Sequence, residues 1–382
     1  GIMIISNIEV LQVSYISNIV MDSEGHTHPG KEHEAVKKIL KITTDNGIVG
    51  FSFMDSIHRG IIEEIVKPVL IGENPLYRER IWQKLRPRQR LNRHFNDRTL
   101  AAVDEALWDI GGKIAGMPVF QMLGAYRDRI PAYGSIMVGD DFPGGLDTPE
   151  AYAKYSIELV ARGYKAIKLH TWMPPIIPNP DPKMDVAACA AVREAVGPEI
   201  KLMLDPYHDY SRQQALYLGR ELEKLDFYWI EEPMNESSMS SYKWLTENLD
   251  LTVIGPETAD GKNYTRAEWI VSSASDVSRA GDIDVGGITP LIKTVHLCES
   301  FNIGVELHGN TLGNLHVLGA MGIPGEYYER GLHHPFLNYE KPMPWFNKIY
   351  DEMDNEGFVT LPKTPGMGWD INHDYIAEYS VE

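Results

Sequence analysis

Five ionisable residues in the second half of the chain recur at a nearly constant spacing. Asp205, Glu231, Glu257, Asp282 and His308 stand at intervals of 26, 26, 25 and 26 residues, and each follows a short apolar stretch. An interval of this size accommodates one β-strand and one α-helix. In a (β/α) barrel the carboxyl ends of successive strands surround one mouth, where active sites form. The spacing therefore predicts that these five side chains line a single cavity.

Lys168 and His170 belong to the same prediction. They end the preceding apolar stretch two residues apart, so both point to the same side of a strand. Taken singly, a carboxylate at a strand end is more often a helix cap or a solvated loop charge, and His308 alone could be a hydrogen-bonded core histidine. Independent accidents do not explain five such positions in succession, so we interpret them as one constellation.

The chemistry of the constellation indicates a divalent cation. Carboxylates that converge in one cavity repel each other unless something positive lies among them. Three converging carboxylates without a cysteine or a closely spaced histidine pair describe a hard oxygen site. Such a site favours Mg²⁺ over zinc, with Mn²⁺ as the alternative.

The elements that must position these groups are strands alternating with helices. The predicted strands cover residues 132–136, 166–170, 200–205, 227–231, 252–257, 277–282, 303–308 and 327–330. Helix starts are marked by Thr148-Pro149 and Thr289-Pro290, and Ser211 with Gln214 resembles a capping box. This repeat predicts parallel strands with crossover helices, in an α/β barrel rather than an open sheet.

The first third of the chain has a different pattern. Residues 4–13 and 35–43 are β-rich, Asn46-Gly47 is typical of a hairpin turn, and residues 99–113 carry apolar side chains at helical spacing. The 382 residues suggest two domains at about 150 residues each. We expect an α+β domain at 1–128, a barrel at 129–345, and a C-terminal segment at 346–382 that packs back on the first domain.

Composition excludes some classes of function. The net charge is −18, from 36 basic and 54 acidic residues, which argues against a nucleic-acid partner. The two cysteines do not make a disulfide scaffold, and no apolar run approaches the roughly 20 residues that span a bilayer. We therefore expect a soluble cytoplasmic protein with a small-molecule partner.

Several motifs carry a family resemblance. They lie at residues 101–110, 116–124, 163–170, 229–233, 286–289 and 328–330. On these motifs the chain resembles the enolase superfamily, of the mandelate racemase and muconate lactonizing enzyme type. The resemblance implies an α+β capping domain over a modified (β/α)₇β TIM-type barrel, and homo-oligomers are usual in the family. It implies Asp205, Glu231 and Glu257 as Mg²⁺ ligands.

The resemblance also implies catalytic groups on both sides of the cation. A histidine–aspartate dyad contains His308, and a Lys-x-Lys-like motif contains Lys168. Glu329 matches a late carboxylate that hydrogen-bonds the substrate carboxylate in its enolate form, and it would be protonated when it donates.

The chain departs from the family pattern at two places. His170 replaces the second lysine, and an imidazole with an unperturbed pKa of about 6.5 can act as a base near neutral pH. Before Gly286-Gly287 the chain is one residue short. We assign Asp282 to the dyad because it keeps the strand-end position, with Asp284 as the alternative.

The family's common step, removal of a proton next to a carboxylate, leads to dehydration or to racemisation. We favour dehydration of a sugar acid, an aldonate or aldarate, because the expected lid is polar. It offers His26, His28 and Arg59, and His208 follows the first metal ligand. The alternatives are a racemase, epimerase or cycloisomerase of a carboxylate on the same scaffold, and a non-catalytic barrel, against which the intact set of residues argues.

Overall fold

The N-terminal part of the chain forms an antiparallel sheet with helices packed on it. The computed structural model describes residues 2–176, 180–322 and 325–382. Strands β1 (Ile5–Met21), β2 (Thr27–Thr44) and β3 (Val49–Ser52) pair in sequence order. The β1–β2 hairpin is longer than the sequence predicts, since pairing continues from Ile5 with Thr44 to Met21 with Thr27 although the outer residues lack an apolar alternation.

The helices of this domain lead up to one long helix. They are α1 (Arg59–Ile61), a π-helical turn (Ile62–Val66), α2 (Lys67–Leu70), α3 (Arg78–Leu85), a 3₁₀ turn (Arg86–Gln89), α4 (Asp97–Ala115) and α5 (Val119–Met122). The Asn96 side chain caps α4 by accepting the N–H of Thr99, and Gly116, with a φ of 69°, ends it. The helix predicted at 99–113 is thereby confirmed and extends further at both ends.

Eight parallel strands form the barrel sheet in the described part of the chain. They are β4 (Arg129–Ile136), β5 (Ala166–His170), β6 (Lys201–Asp205), β7 (Trp229–Glu231), β8 (Thr252–Ile254), β9 (Val277–Ala280), β10 (Gly304–Leu307) and β11 (Tyr328–His333). The order is β10-β9-β8-β7-β6-β5-β4-β11, so the last strand lies beside the first. Between β10 and β11, the buried Glu306 carboxylate accepts the N–H groups of Glu326 and Tyr327.

Crossover helices connect these strands. They are α6 (Pro149–Ala161), α7 (Pro182–Val196), α8 (Arg212–Lys224), α9 (Met239–Asn248), α10 (Lys262–Val271), α11 (Asp282–Val285), α12 (Ile288–Ser300) and α13 (Leu312–Ala320). The predicted cap at Thr148 and the capping box of Ser211 with Gln214 are confirmed. The short helix α11 is not foreseen by the sequence, because β9 ends at Ala280 and Asp282 begins a helical turn.

The C-terminal segment contacts both parts of the molecule. It contains β12 (Phe358–Thr360), which pairs with β4, then α14 (His373–Glu378) and β13 (Ser380–Val381), which pairs with β1. Trp345 and Phe346 pack in one apolar cluster with Val13 and Phe51. The exact division at residues 128 and 345 stays a prediction. No helix among the described residues has the length and apolarity needed to cross a membrane.

Candidate active site

Three carboxylates converge at the mouth of the barrel. Asp205 ends β6, Glu231 ends β7, and Glu257 follows β8, and one oxygen from each lies within 4.8 Å of the others. Glu231 is fully buried, whereas the side chains of Asp205 and Glu257 retain 16% and 15% exposure toward the mouth. Such a set of hard oxygen donors fits Mg²⁺ or Mn²⁺, which take carboxylate and water ligands.

Two buried cations compensate the carboxylates from inside the barrel. Lys168 Nζ lies 3.0 Å from Glu231 Oε1, and Arg279 on β9 lies 3.2 Å from Glu231 Oε2 and 3.3 Å from Glu257 Oε1. Burial would lower the pKa of Lys168, but Glu231 and Glu329 outweigh it and raise the pKa well above its ordinary value. Lys168 is therefore a fixed positive charge here, rather than a base.

His170 flanks the triad on the β5 side. Its Nε2 lies 3.1 Å from Asp205 Oδ2, and its Nδ1 lies 2.7 Å from the backbone carbonyl of Ile136, so Nδ1 carries the hydrogen. Although burial alone would raise the pKa of Asp205, the adjacent His170 holds it well below the usual range. The imidazole that the sequence predicts in place of a second lysine is therefore held with its Nε2 facing the carboxylates.

His308 flanks the triad on the other side, and its partner is Asp284. His308 Nδ1 lies 2.7 Å from Asp284 Oδ2, and its Nε2 lies 3.6 Å from Glu257 Oε2. Burial would lower the pKa of His308, but the Asp284 carboxylate reverses the effect and raises the pKa to about 9. The pairing of His308 with Asp282 that we predicted is wrong. Since β9 ends at Ala280, residue 282 is no longer at a strand end, and the turn of α11 presents Asp284 to the imidazole.

Asp282 instead points into the contact between the two domains. Its side chain is fully buried, and its Oδ1 accepts hydrogen bonds from the Thr311 hydroxyl and the N–H of Ile283, both at 2.8 Å. It lies beside Glu105 on α4 of the capping domain.

Glu329 on β11 is an ionised acceptor. Lys168 lies 2.8 Å from one of its oxygens and Arg279 2.9 Å from the other, and the Ser135 hydroxyl and the N–H of Gly309 also donate to it. Burial would raise the pKa of Glu329, but Lys168 and Arg279 hold it well below the ordinary value. These four donors make Glu329 an acceptor in this structure, unlike the protonated donor that the resemblance suggests.

The polar residues that the sequence predicts around the substrate differ in their contacts and exposure. The rings of His26 and His208 have centroids 6.3 Å apart, which brings the β1–β2 turn over the loop that follows Asp205. His28 is buried, with Nε2 2.7 Å from Asp22 Oδ2, and this pair shapes the turn. Arg59 begins α1 as an exposed side chain. The structure thus joins His26 to His208, while His28 has a structural partner.

Arg279 is the main residue of the site that sequence reasoning missed. It lies within β9 and contacts three glutamates of the barrel, Glu231, Glu257 and Glu329. The sequence contained a signal for this role. A strand of a parallel sheet is buried on both faces, so an arginine in the middle of such a strand requires anionic partners.

The comparisons with known families agree with this architecture. Residues 19–124 match the mandelate racemase / muconate lactonizing enzyme N-terminal domain, and residues 151–375 match the family described as enolase C-terminal domain-like. The chain therefore belongs to the enolase superfamily, of the mandelate racemase and muconate lactonizing enzyme type.

Among its relatives are several enzymes that act on sugar acids. An arabinonate dehydratase of Saccharolobus solfataricus is 29% identical, with 92% of each chain covered. A D-galactarolactone cycloisomerase of Agrobacterium fabrum is 26% identical, with 90% of this chain and 91% of the relative covered. The crystal structure of a D-glucarate dehydratase from Agrobacterium tumefaciens, complexed with magnesium, superposes with a TM-score of 0.97 at 52% identity over all of both chains.

Proposed function

We propose that the protein is a divalent-cation-dependent dehydratase, a hydro-lyase that acts on a sugar acid. The observation that carries this proposal is the placement of two imidazoles around one acidic triad. His170 Nε2 lies beside Asp205 and His308 Nε2 beside Glu257, at the two ends of the series of strands from β5 to β10. A substrate held at the triad would meet one imidazole from each side.

The three carboxylates would hold Mg²⁺ or Mn²⁺. When bound, the cation stabilises the negative charge that develops on the substrate carboxylate as its α-proton is removed. The magnesium in the similar D-glucarate dehydratase structure supports this choice. Lys168 is placed to stabilise the same charge, since it is positive, buried and adjacent to Glu231.

The two histidines divide the proton transfers. One imidazole removes the α-proton and leaves an enediolate, and the other, as imidazolium, protonates the β-hydroxyl, which departs as water. The C–O bond breaks as the enediolate electrons form the carbon–carbon double bond of an enol, which ketonises to a 2-keto-3-deoxy acid. Asp284 fixes the tautomer and orientation of His308 through Nδ1.

The substrate class is a polyhydroxy acid, and we favour an aldarate. The similar D-glucarate dehydratase structure, at 52% identity, supports a diacid, and His26 with His208 supplies polar groups near the mouth. Arg59 and His28 stay predicted substrate contacts, as do the homo-oligomeric assembly and the cytoplasmic location.

A cycloisomerase or racemase is the second candidate. It is favoured by the cycloisomerase among the relatives, which matches over nine-tenths of the chain. The same triad and imidazoles would serve it, because each of these reactions begins with removal of the α-proton.

A substrate screen separates the candidates. The purified protein is incubated with Mg²⁺ and a library of aldonates, aldarates and their lactones, and 2-keto-3-deoxy products are detected by semicarbazide absorbance. We expect a keto product from at least one aldarate, and none after EDTA treatment until Mg²⁺ is restored. Lactone turnover without a keto product would identify the cycloisomerase, and inverted substrate alone would identify the racemase or epimerase.

A further inference from the structure

Two carboxyl groups face each other at the contact between the capping domain and the barrel. Glu105 on α4 is 2% exposed and Asp282 on α11 is fully buried. Both approach Gly313, where an added Cβ would lie 2.1 Å from Glu105 Oε1 and 2.3 Å from Asp282 Oδ2. These two oxygens have no N–H or O–H partner among the described residues. The remaining partner for each is the other carboxyl group.

A proton shared between the carboxyl groups of Glu105 and Asp282 would allow both groups to be buried next to each other. Two ionised carboxylates so placed would repel each other, and Asp104 and Asp109 on α4 and Asp284 on α11 disfavour ionisation of the pair further. Burial and the adjacent Asp282 raise the pKa of Glu105 well above its ordinary value. The pair then has one negative charge, which the N-terminus of α13 stabilises, since Gly313 lies in its first turn.

Asp282 is also bonded to the groups that hold the dyad. Its Oδ1 accepts the hydroxyl of Thr311, and its own N–H donates to Asn314 Oδ1 at 3.1 Å. Asn314 Nδ2 in turn donates to the backbone carbonyl of His308 at 2.6 Å. Asp282 begins the same short helix that carries Asp284. The Asn314 side chain thus connects the backbone of α11, which carries Asp284, to the backbone of His308. The Asp282 carboxylate is anchored to the same N-terminus of α13 through Thr311, whose hydroxyl also accepts the N–H of Asn314.

We propose that Glu105 and Asp282 are positioning residues: their shared proton joins α4 to α11 and sets the position from which Asp284 meets His308. The capping domain would then determine the geometry of the dyad as well as cover the barrel. The inference rests on the proposed role of His308 and Asp284 in proton transfer, but the hydrogen bond between them is measurable without any substrate.

Two substitutions of Glu105 separate positioning from simple stabilisation. Glu105→Gln keeps the shape and donates an amide N–H to an ionised Asp282, whereas Glu105→Leu leaves that carboxylate buried and unpaired. The matched control is Asp109→Asn, one turn further along α4, whose carboxylate accepts the N–H groups of Phe51 and Met367 and pairs with Lys113. Glu105→Leu and Asp109→Asn each remove one buried carboxylate from the same helix.

The direct readout is the His308 Nδ1–H signal. In protein labelled with ¹⁵N-histidine, we expect a low-field proton resonance that is absent in Asp284→Asn. It should persist in Glu105→Gln and Asp109→Asn, and disappear or shift in Glu105→Leu. The kcat for the keto product should fall about 100-fold in Glu105→Leu with KM little changed, and stay within about threefold of wild type in Glu105→Gln.

The outcomes are distinguishable from failure of the proposed function. An unchanged low-field signal in Glu105→Leu, or its absence from the wild type, overturns the positioning role. If Glu105→Leu does not fold, Gly313→Ala replaces it, because the added methyl group displaces both carboxyl groups without removing either, and the same results are expected. If no acid yields a keto product, the dehydratase proposal fails, while the NMR comparison still decides the positioning role.

Discussion

His308 and Asp284 form a hydrogen-bonded pair in which Nδ1 lies 2.7 Å from Oδ2. The aspartate comes from a four-residue helix rather than from the end of strand β9. Because Nδ1 is occupied by this bond, Nε2 is left facing Glu257 and the mouth of the barrel. The pair is therefore arranged to present one defined nitrogen to a substrate.

The first prediction concerns Asp284→Asn. An asparagine can hold His308 in the wrong tautomer, so we expect turnover to fall by roughly 10²- to 10⁴-fold. The side chain is 8% exposed and lies at the mouth, so melting temperature should change little. Steady-state kinetics and circular dichroism measure both effects. Wild-type turnover in Asp284→Asn would exclude a catalytic dyad.

The constant spacing succeeded where each βα unit has the same length. Strand β5 matches its predicted bounds, Ala166–His170, and Asp205 and Glu231 end the strands predicted for them. Glu257 lies beyond the end of β8 and still reaches the triad, since the loop that follows returns to the same mouth. The hydrophobic pattern and the spacing together were sufficient to predict that these groups lie at one site.

The same spacing led to the wrong prediction that Asp282 is the partner of His308. The interval of 25 residues suggested a strand end, but Gly281 and Asp282 begin a helical turn, and the carboxylate that contacts His308 lies two residues further along, at Asp284. Which of two aspartates faces the imidazole depends on this local turn, which leaves no periodic signal in the sequence. Glu329 likewise required the structure, because its ionised state depends on contacts with Lys168 and Arg279.

The second prediction tests the metal ligands. Glu231→Gln should abolish turnover and weaken binding of Mg²⁺ or Mn²⁺, because one ligand charge is lost. The fold should survive, since Lys168 and Arg279 both keep Glu329 as an anionic partner. Isothermal titration with each cation, beside thermal melting, measures the two effects.

Glu232→Gln is the matched control for that experiment. Glu232 is the next residue and is also buried, but it lies outside the converging triad. Cation affinity should fall more in Glu231→Gln than in Glu232→Gln. The reverse order would transfer the ligand role to Glu232.

The third prediction concerns stability in acid. His316 is fully buried on α13, where Nδ1 accepts the N–H of Phe120 and Nε2 donates to the carbonyl of Met367, so the ring is neutral. Burial lowers its pKa from 6.5 to about 4. Below pH 6.5 the unfolded chain therefore binds a proton that the folded chain does not. The contribution of this group is present above pH 6.5 and is lost as the pH falls toward 4, by on the order of 3 kcal/mol.

Urea unfolding between pH 7.5 and 4 measures this loss. His316→Gln should be less stable at pH 7.5, and its stability should decline less steeply with acid than that of the wild type. His296→Gln, on the exposed side of α12, is the control and should follow the wild-type slope. Parallel slopes for all three proteins would show that His316 does not contribute to acid sensitivity.

The last prediction separates the roles of His170 and His308. If they act from opposite sides, replacing either with Asn should reduce dehydration by several orders of magnitude, about 10² to 10⁴. The variant that keeps the base should still exchange the substrate α-hydrogen with deuterium from solvent, because enolisation precedes loss of water. NMR of the substrate in D₂O follows exchange and product together.

The result also assigns base and acid. Exchange that persists in His308→Asn would make His170 the base, and exchange that persists in His170→Asn would make His308 the base. A wild-type protein that forms α-deuterated, inverted substrate and never a keto product would contradict the dehydratase proposal. Turnover in both single variants at the wild-type rate would contradict the catalytic assignment itself, since neither imidazole would then move a proton in the rate-determining sequence.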